Sequence, residues 1–330
     1  MENLFQDYFS KLAIGGKQSY KNMAVFPLLS NYSIPLEYLT LDDAVSQEFI
    51  DVVEVDEGGH VPELKVKNKS PLKVLIIDGE ELVGAKQNRI VNTTILVKEE
   101  STIVIPVSCV ERGRWAYNSD KFNSKQRFAH SRLRAMKAQH VNESLRNRRS
   151  FDSDQGAIWE EIDNKARRRG AESASMEMGN IYERDVPHLE KYAKHFKLVE
   201  NQVGAIFVIN DKIAGMDSFG KADTFAKIHE KLLNSYTLDA IDWYTESQSK
   251  EISDKEITEF LDHGISAKKE SRASVQLGTD YRLQSEKVTG FSLAYENQVL
   301  HFSLFIKDAV TNQGASGMGR FSHRMRNRDW

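Results

Sequence analysis

The sequence predicts an α+β fold, and three observations carry that expectation. Residues 22–115 read as short runs of alternating apolar and polar side chains, broken by Gly58-Gly59, Asn68 to Pro71 and Asp78-Gly79. That is the pattern of antiparallel strands with one buried face, and it points to a β-sandwich or a small barrel. Residues 126–199 switch to helical spacing and are rich in arginine. Residues 201–306 then mix a helical face with runs that pair as hairpins.

Each element has its own reason. Leu4, Phe5, Tyr8, Phe9 and Leu12 fall on one face of a short N-terminal helix, which Gly15-Gly16 ends. Met23 to Leu29 and Leu72 to Ile77 are apolar strands; on Leu64 to Lys67 only alternate residues are apolar. In the middle, Leu133, Met136, His140, Val141 and Leu145 keep helical spacing, as do Ile158, Trp159, Ile162 and Ala166. Pro187 is expected in the first turn of a third helix. In the last third, Val203 to Val208 and Lys212 to Phe219 make a hairpin through Asn210-Asp211. Phe225 to Ile241 is a helix. Ser253 and Glu256 form a capping box for a helix that stops at Gly264. Phe291 to Tyr295 and Leu300 to Ile306 make a second hairpin through Asn297-Gln298. The expected organisation is a β-rich domain with an N-terminal helix (1–120), a helical segment (121–200), an α+β domain (201–308) and a mobile tail (309–330).

The 330 residues leave room for about two domains or one large one. A 40% hydrophobic and 28% charged composition excludes a disordered or low-complexity chain. No apolar run approaches the roughly 18 residues that span a bilayer, and the first residues lack a secretory pattern. The lone Cys109 excludes an internal disulfide and a multi-cysteine zinc site, and a reducing cytoplasm is the expected location. Net charge is −3, but it is unevenly spread. Residues 37–63 hold nine carboxylates and no Lys or Arg, whereas residues 112–169 hold fifteen basic residues against seven acidic ones. Either the two regions neutralise each other or the basic part holds an anion.

Two stretches depart from core logic. Asp78 to Arg89 packs carboxylates, amides, a lysine and an arginine into a connection between strands, where turn residues would suffice. Because successive strand residues face opposite sides, only one of Glu80 and Glu81 can enter a shared site, and likewise only one of Gln87 and Asn88. Pro106 to Trp115 adds Cys109, Glu111, Arg112, Arg114 and Trp115 at a strand end. Arginine pairs with phosphate or carboxylate, and tryptophan offers a flat face to a ring. Cys109 is either a buried small hydrophobe or a nucleophile with a neighbouring base. Asp78, Glu80 and Glu81 could supply oxygen ligands to Mg²⁺, set against the main expectation of no metal. His301 is either structural or joins Asp280 and Arg282 in a second polar site. No Walker loop, dinucleotide fingerprint or nucleophile elbow is present.

The strings DGEELVGAKQNRIVNTTILV (78–97) and IPVSCVERGRW (105–115) resemble the ADP-ribosylglycohydrolase and rhodanese-phosphatase associated protein domain, or ARPP domain. VGAIFVINDKIAGMDSF (203–219) and VLHFSLF (299–305) resemble it too. The family has no settled activity. The resemblance implies a place in NAD or ADP-ribose metabolism, and it gives weight to Asp78, Glu80, Glu81, Gln87, Asn88, Arg89, Asn92, Cys109, Glu111, Arg114 and Trp115.

Two functional expectations follow. In one, a polar pocket of the β-domain binds or hydrolyses a small anionic metabolite of the ADP-ribose or NAD type. Arg89 and Arg114 would then neutralise phosphate, Gln87, Asn88 and Asn92 would read hydroxyls or an amide, Trp115 would stack, and Glu80 or Glu81 would activate water. In the other, the protein is a non-enzymatic module. Its arginine-rich helices (Arg127, Arg132, Arg134, Lys137, Arg146, Arg148, Arg149, Lys165, Arg167, Arg168, Arg169) would grip nucleic acid or an acidic partner, and the polar motif would be a structural network.

Overall fold

The structure is a computed structural model that describes residues 2–147, 150–245 and 252–307. The expected tail, Arg148 and Arg149 lie outside the described residues. Helix α1 (Glu2–Ser10) leads into strands β1 (Ala13–Ile14), β2 (Gln18–Tyr20), β3 (Met23–Leu29) and β4 (Tyr38–Thr40). Helix α2 (Leu41–Ser46) precedes β5 (Ile50–Glu54), β6 (Glu63–Asn68), β7 (Lys73–Ile76), β8 (Glu80–Gly84), β9 (Arg89–Val91), β10 (Ile95–Val97), β11 (Ser101–Cys109) and β12 (Phe122–Phe128). Three helices follow: α3 (Ser131–Asn147), α4 (Gln155–Arg169) and α5 (Gly179–Ala193). The last part runs β13 (Gln202–Ile209), β14 (Lys212–Phe219), α6 (Ala222–Asp242), α7 (Asp254–Ser266), β15 (Lys268–Ala273), β16 (Thr279–Gln284), β17 (Val288–Tyr295) and β18 (Gln298–Ile306).

Of the two β-architectures expected for the N-terminal half, the barrel is the one present. Strands close in the order β11-β6-β5-β12-β8-β9. Alternate residues point inward, so Val52, Leu64, Val66, Leu82, Val91 and Val107 form one core. A small sheet, β10-β7-β4, adds Val74, Ile76, Ile95 and Val97 to the same core. The helical pattern does not start at Gln126. Gln126 takes φ +53° at an irregularity in the β12–β8 register, and the strand continues to Phe128.

Residues 13–29 do not join the barrel. They extend a second, antiparallel sheet ordered β1-β3-β13-β14-β18-β17-β16-β15, with β2 also on β3. The reason lies in Met23 to Leu28, which are apolar on both faces. Met23 and Val25 enter the core beneath the helices, whereas Ala24, Phe26 and Leu28 face the core under α1 and α7. A strand covered on both sides needs no wet face. α1 packs Phe5 and Phe9 edge-on against Phe302. On the opposite face α6 stacks Tyr236 on Phe207, with ring centroids 3.8 Å apart.

The local signals mostly hold. Asn210 and Asp211 both take left-handed φ, at +50° and +58°, as a two-residue hairpin requires. The capping box at Ser253 and Glu256 is present. Three expectations need correction. The second hairpin turns at Glu296-Asn297, one residue earlier, because these are the two with positive φ. α7 runs past Gly264 to Ser266; a Cβ on Gly264 would lie 2.6 Å from Leu304, so the glycine serves close approach. Pro187 sits inside α5, which begins at Gly179. Glu183 and Pro187 are both exposed, so the carbonyl that loses its helical donor is open to solvent. Strands β15 and β16 escaped the sequence pattern because Lys268 to Ala273 form a charged sheet edge without apolar alternation.

The left-handed turn yields a stability test. Asp211→Val should destabilise the protein by about 1–2 kcal/mol in a urea titration, and Asp211→Gly should not, because only a β-carbon makes that conformation costly.

Candidate functional site

The polar motif sorts itself by strand alternation into three groups. The first lies at one end of the barrel, where Glu54 ends β5, Gly84 ends β8, Cys109 ends β11 and Arg89 opens β9. Arg89 lies opposite Leu82 and Cys109 and shares the inward face of Val91. It is 0% exposed. Its Nη1 donates to Gln87 O at 2.9 Å, Gln87 Oε1 at 3.3 Å and Asn88 O at 3.4 Å. Its Nε and Nη2 are buried with no hydrogen-bond partner. Burial pushes the guanidinium below its ordinary pKa, opposed by Cys109, Glu54 and Glu111. Glu54, 7% exposed, accepts Lys86 N at Oε1 (3.3 Å), while its Oε2 has no partner.

A lid of side chains covers this end. The Trp115 ring centroid is 5.7 Å from the Arg89 guanidinium and 5.4 Å from Lys86 Nζ, and Tyr117 lies 5.0 Å from the same Nζ. Lys86 Nζ donates to the carbonyls of Glu57 (2.5 Å) and Gly58 (2.7 Å). Gly59 (φ +75°) closes that turn so tightly that a Cβ would meet Lys86 Cδ at 3.1 Å and both Glu54 Oε2 and Trp115 at 3.4 Å. Trp115 is 47% exposed and forms the outer surface of the lid. Cys109 Sγ is 3.1 Å from both Gln87 Oε1 and Glu111 O, and burial pushes its thiol up. That environment makes an inert thiol rather than a nucleophile.

The second group faces outward and is self-sufficient. Arg114 donates to Glu111 through Nε (2.8 Å) and Nη2 (2.6 Å), to Ala85 O (2.5 Å) and to Asn88 Oδ1 (3.2 Å). Asn88 N donates to Glu111 Oε2 at 3.0 Å, and Asn88 Nδ2 to Glu177 Oε2 at 3.2 Å. Burial pushes Glu177 up, and the nearby Glu111 adds to it. This clasp fastens the Arg112–Trp115 loop to the barrel. Arg114 therefore spends its donors inside the protein.

The third group faces the helices. Glu80 pairs with Lys231 of α6, and Glu81 with Arg127 at 2.8 Å. Burial pushes both carboxyls up, and their cations oppose it. The two glutamates diverge, as alternation requires. Asp78 pairs with Lys137, whose ammonium also donates to Asn92 O at 3.1 Å. Asn92 accepts from Ser108 (2.7 Å) and donates to Phe151 O (3.0 Å). Beyond them, Arg134 holds Asp217 in a bidentate pair (2.9 and 2.6 Å), His301 Nε2 lies 3.2 Å from Asp217, and His301 Nδ1 lies 2.7 Å from Thr94 Oγ1. Burial disfavours ionised Asp217, but Arg134 and His301 outweigh it and hold the carboxyl far below its usual range. Asp280 and Arg282 form their own bidentate pair (2.7 and 2.8 Å). Thr93, beside Thr94, receives a 2.6 Å bond from that arginine. Asp78, Glu80 and Glu81 thus each face a different cation, and among the described residues no three His, Cys, Asp or Glu are grouped to hold a metal ion.

The arginine-rich helices are largely neutralised within the fold. Arg132 pairs with Glu161, Arg146 with Glu270, Arg168 with Asp242 and Arg169 with Asp185. Lys165 is buried between Asp239 (2.5 Å) and Asp242 (3.0 Å). Arg167 bonds Asn164. The acidic stretch finds other partners: Glu37, Asp43 and Asp42 pair with Lys221, Lys227 and Lys231, and Asp51 with Lys69 and Lys121. A cleft of about 290 Å³ between α4 and the Ala171–Glu177 segment touches the clasp through Glu177. A groove of about 880 Å³ lies beside β1 and α7. No helix among the described residues is long and apolar enough to cross a membrane.

Sequence reasoning missed Glu54, Lys86, Tyr117, Glu177, Lys231 and Asp217. Glu54 carried a signal: it continues the inward alternation of Ile50 and Val52, where a carboxylate is out of place. Asp217 and Lys231 likewise sit on apolar faces of their elements.

Compared with known proteins, the chain matches the ARPP-1 family, described as the ARG and Rhodanese-Phosphatase-superfamily-associated Protein domain, over residues 11–305. No curated protein and no solved structure matches it.

Two measurements check this geometry. Cys109 should resist a thiol reagent at neutral pH in the folded protein and react fully in denaturant; rapid modification of the native state contradicts its burial. The second concerns Lys137, which burial pushes from 10.5 down to about 8 against the pull of Asp78. The unfolded chain keeps that proton to higher pH, so it binds more protons between the two values and stability climbs with pH there. Between about pH 8 and about pH 10 the wild type should gain stability relative to Lys137→Met, read by denaturant midpoints.

Proposed function

The chain belongs to the ARG and Rhodanese-Phosphatase-superfamily-associated Protein domain family, and from that premise we propose that it binds a small anionic metabolite of the ADP-ribose or NAD type at the barrel end built by Arg89, Gln87, Lys86 and Trp115. The observation that carries this reading is Arg89. Its guanidinium is fully buried, has two nitrogens without partners and forms no carboxylate pair. A charge withdrawn from water and left uncompensated is costly, and an anion that accepts its two free donors would offset that cost. Trp115 supplies an exposed flat face beside it, suited to an adenine or nicotinamide ring. Barrel mouths are common ligand sites.

Access requires the Trp115–Lys86 lid to move, because Arg89 has no exposed surface in the closed arrangement. Of the residues first considered, Arg114, Asn88 and Glu111 act by holding the lid loop rather than by touching the anion. Hydrolysis at this end would draw its base from Glu54, since Glu80 and Glu81 are committed to Lys231 and Arg127. The alternative of nucleic-acid binding has less support, because the helical arginines are mostly spent on internal carboxylates.

Calorimetry with ADP-ribose, NAD and inorganic pyrophosphate tests the reading. The wild type should bind, and Arg89→Met should weaken binding by about tenfold or more, the usual worth of hydrogen bonds to a charged group. Trp115→Ala should weaken ADP-ribose but not pyrophosphate. Absence of binding to all three, or binding indifferent to Arg89, overturns the proposal.

A further inference from the structure

The barrel end holds a second unpaired charge, of opposite sign. Glu54 Oε2 is buried without a partner, like Nε and Nη2 of Arg89. Opposite charges buried at the same end would ordinarily join, since their attraction grows as water is excluded. Here each is tethered elsewhere. Arg89 Nη1 is tied to the carbonyls of Gln87 and Asn88, and Glu54 Oε1 to the backbone N–H of Lys86. The barrel end therefore presents two guanidinium nitrogens with free donors and one carboxylate oxygen with a free acceptor. A simple inorganic anion satisfies only the first; against Glu54 it meets repulsion. Both are satisfied by a molecule that joins an anionic group to a hydroxyl or N–H donor.

Resting on the anion-binding reading above, we propose that Glu54 is a specificity-determining residue that reads sugar hydroxyls, so that the ligand is a sugar phosphate whose ring carries free neighbouring hydroxyls. The phosphate oxygens accept from Arg89 Nε and Nη2, and a ring hydroxyl donates to Glu54 Oε2. Two features fit a sugar rather than an amine. Lys86 and Arg89 both already lie against the Trp115 ring, at 5.4 and 5.7 Å, so an amine ligand would face two cations. The Trp115 face is suited to the apolar side of a sugar ring as well as to a base.

The test compares ribose 5-phosphate, 2-deoxyribose 5-phosphate and inorganic phosphate by calorimetry. The wild type should bind ribose 5-phosphate at least about tenfold more tightly than the 2-deoxy analogue, because a buried acceptor left unpaired is penalised. Glu54→Gln should narrow that gap and should strengthen binding of inorganic phosphate, since the repelling charge is gone. If inorganic phosphate and both sugar phosphates bind in an Arg89-dependent way with no hydroxyl preference, the Glu54 proposal fails while anion binding stands; water alone then bridges the two charges. If none of the three binds, the Glu54 proposal fails, and anion binding fails with it where ADP-ribose, NAD and pyrophosphate do not bind either. The comparison of ligands on the wild type needs no variant to fold. For Glu54→Gln, an unchanged melting temperature separates a lost contact from a disturbed barrel.

Discussion

The protein is held in one arrangement by a buried chain of charges that reaches all three of its parts. Asp78 follows a strand of the small sheet, Lys137 and Arg134 come from α3, and Asp217 and His301 come from β14 and β18 of the large sheet. All five are fully buried. Such a network adds little stability over an apolar core of equal volume, because withdrawing each charge from water offsets most of the attraction. Its effect is geometric. Removing one member strands the others without solvent, at a cost of about 3–5 kcal/mol for a broken buried pair. Barrel, helices and sheet therefore dock only where every charge meets its partner. Asp239 does the same on a smaller scale, joining α6 to Lys165 of α4 and to Ser131 and His130 before and at the start of α3.

Against this pairing of charges the barrel end stands out, because neither Arg89 nor Glu54 has an ion-pair partner among the described residues. The core network sets each ionised side chain against one of opposite sign, so that even Asp78 Oδ1 and Arg134 Nε, which lack hydrogen bonds, lie 3.5 Å apart, and the clasp pairs Arg114 with Glu111 a few residues from Arg89. Arg89 and Glu54 alone, among the motif's neighbours at that end, keep buried polar atoms of opposite sign apart. The clasp and the open charges depend on each other. By tying the loop of residues 112–115 to Gly84, Ala85 and Asn88, Arg114 sets Trp115 over Arg89. A hydrogen-bonded loop that positions an exposed aromatic beside an unpaired cation is the kind of support a binding site requires.

Much of this was legible in the sequence, and the gaps have definite causes. The polar density of Asp78 to Arg89 and of Cys109 to Trp115 was visible in the sequence, and alternation along β8 foretold that Glu80 and Glu81 would part. Alternation also placed Glu54 beside Ile50 and Val52 on the inner face, yet it was read with the acidic run around it. Arg134, Lys137 and Lys165 fall in the sequence among the basic residues that would grip nucleic acid or an acidic partner, because helical spacing does not say which side another element will cover. Gly264 looked like a helix stop because spacing does not reveal that Leu304 presses against it.

The sequence by itself determined the elements whose cause is local: the left-handed hairpin turn at Asn210-Asp211, the capping box at Ser253, the alternation of barrel strands and the two-faced apolarity of Met23 to Leu28. Torsional preference and side-chain period act over a few residues, so they can be read in a line. Only the tertiary structure decided which charges are spent and which are left open. Coulomb attraction and burial depend on distance through space, and Glu80 meets Lys231 across 151 positions of chain while Arg89, beside Gln87 and Asn88, meets no carboxylate.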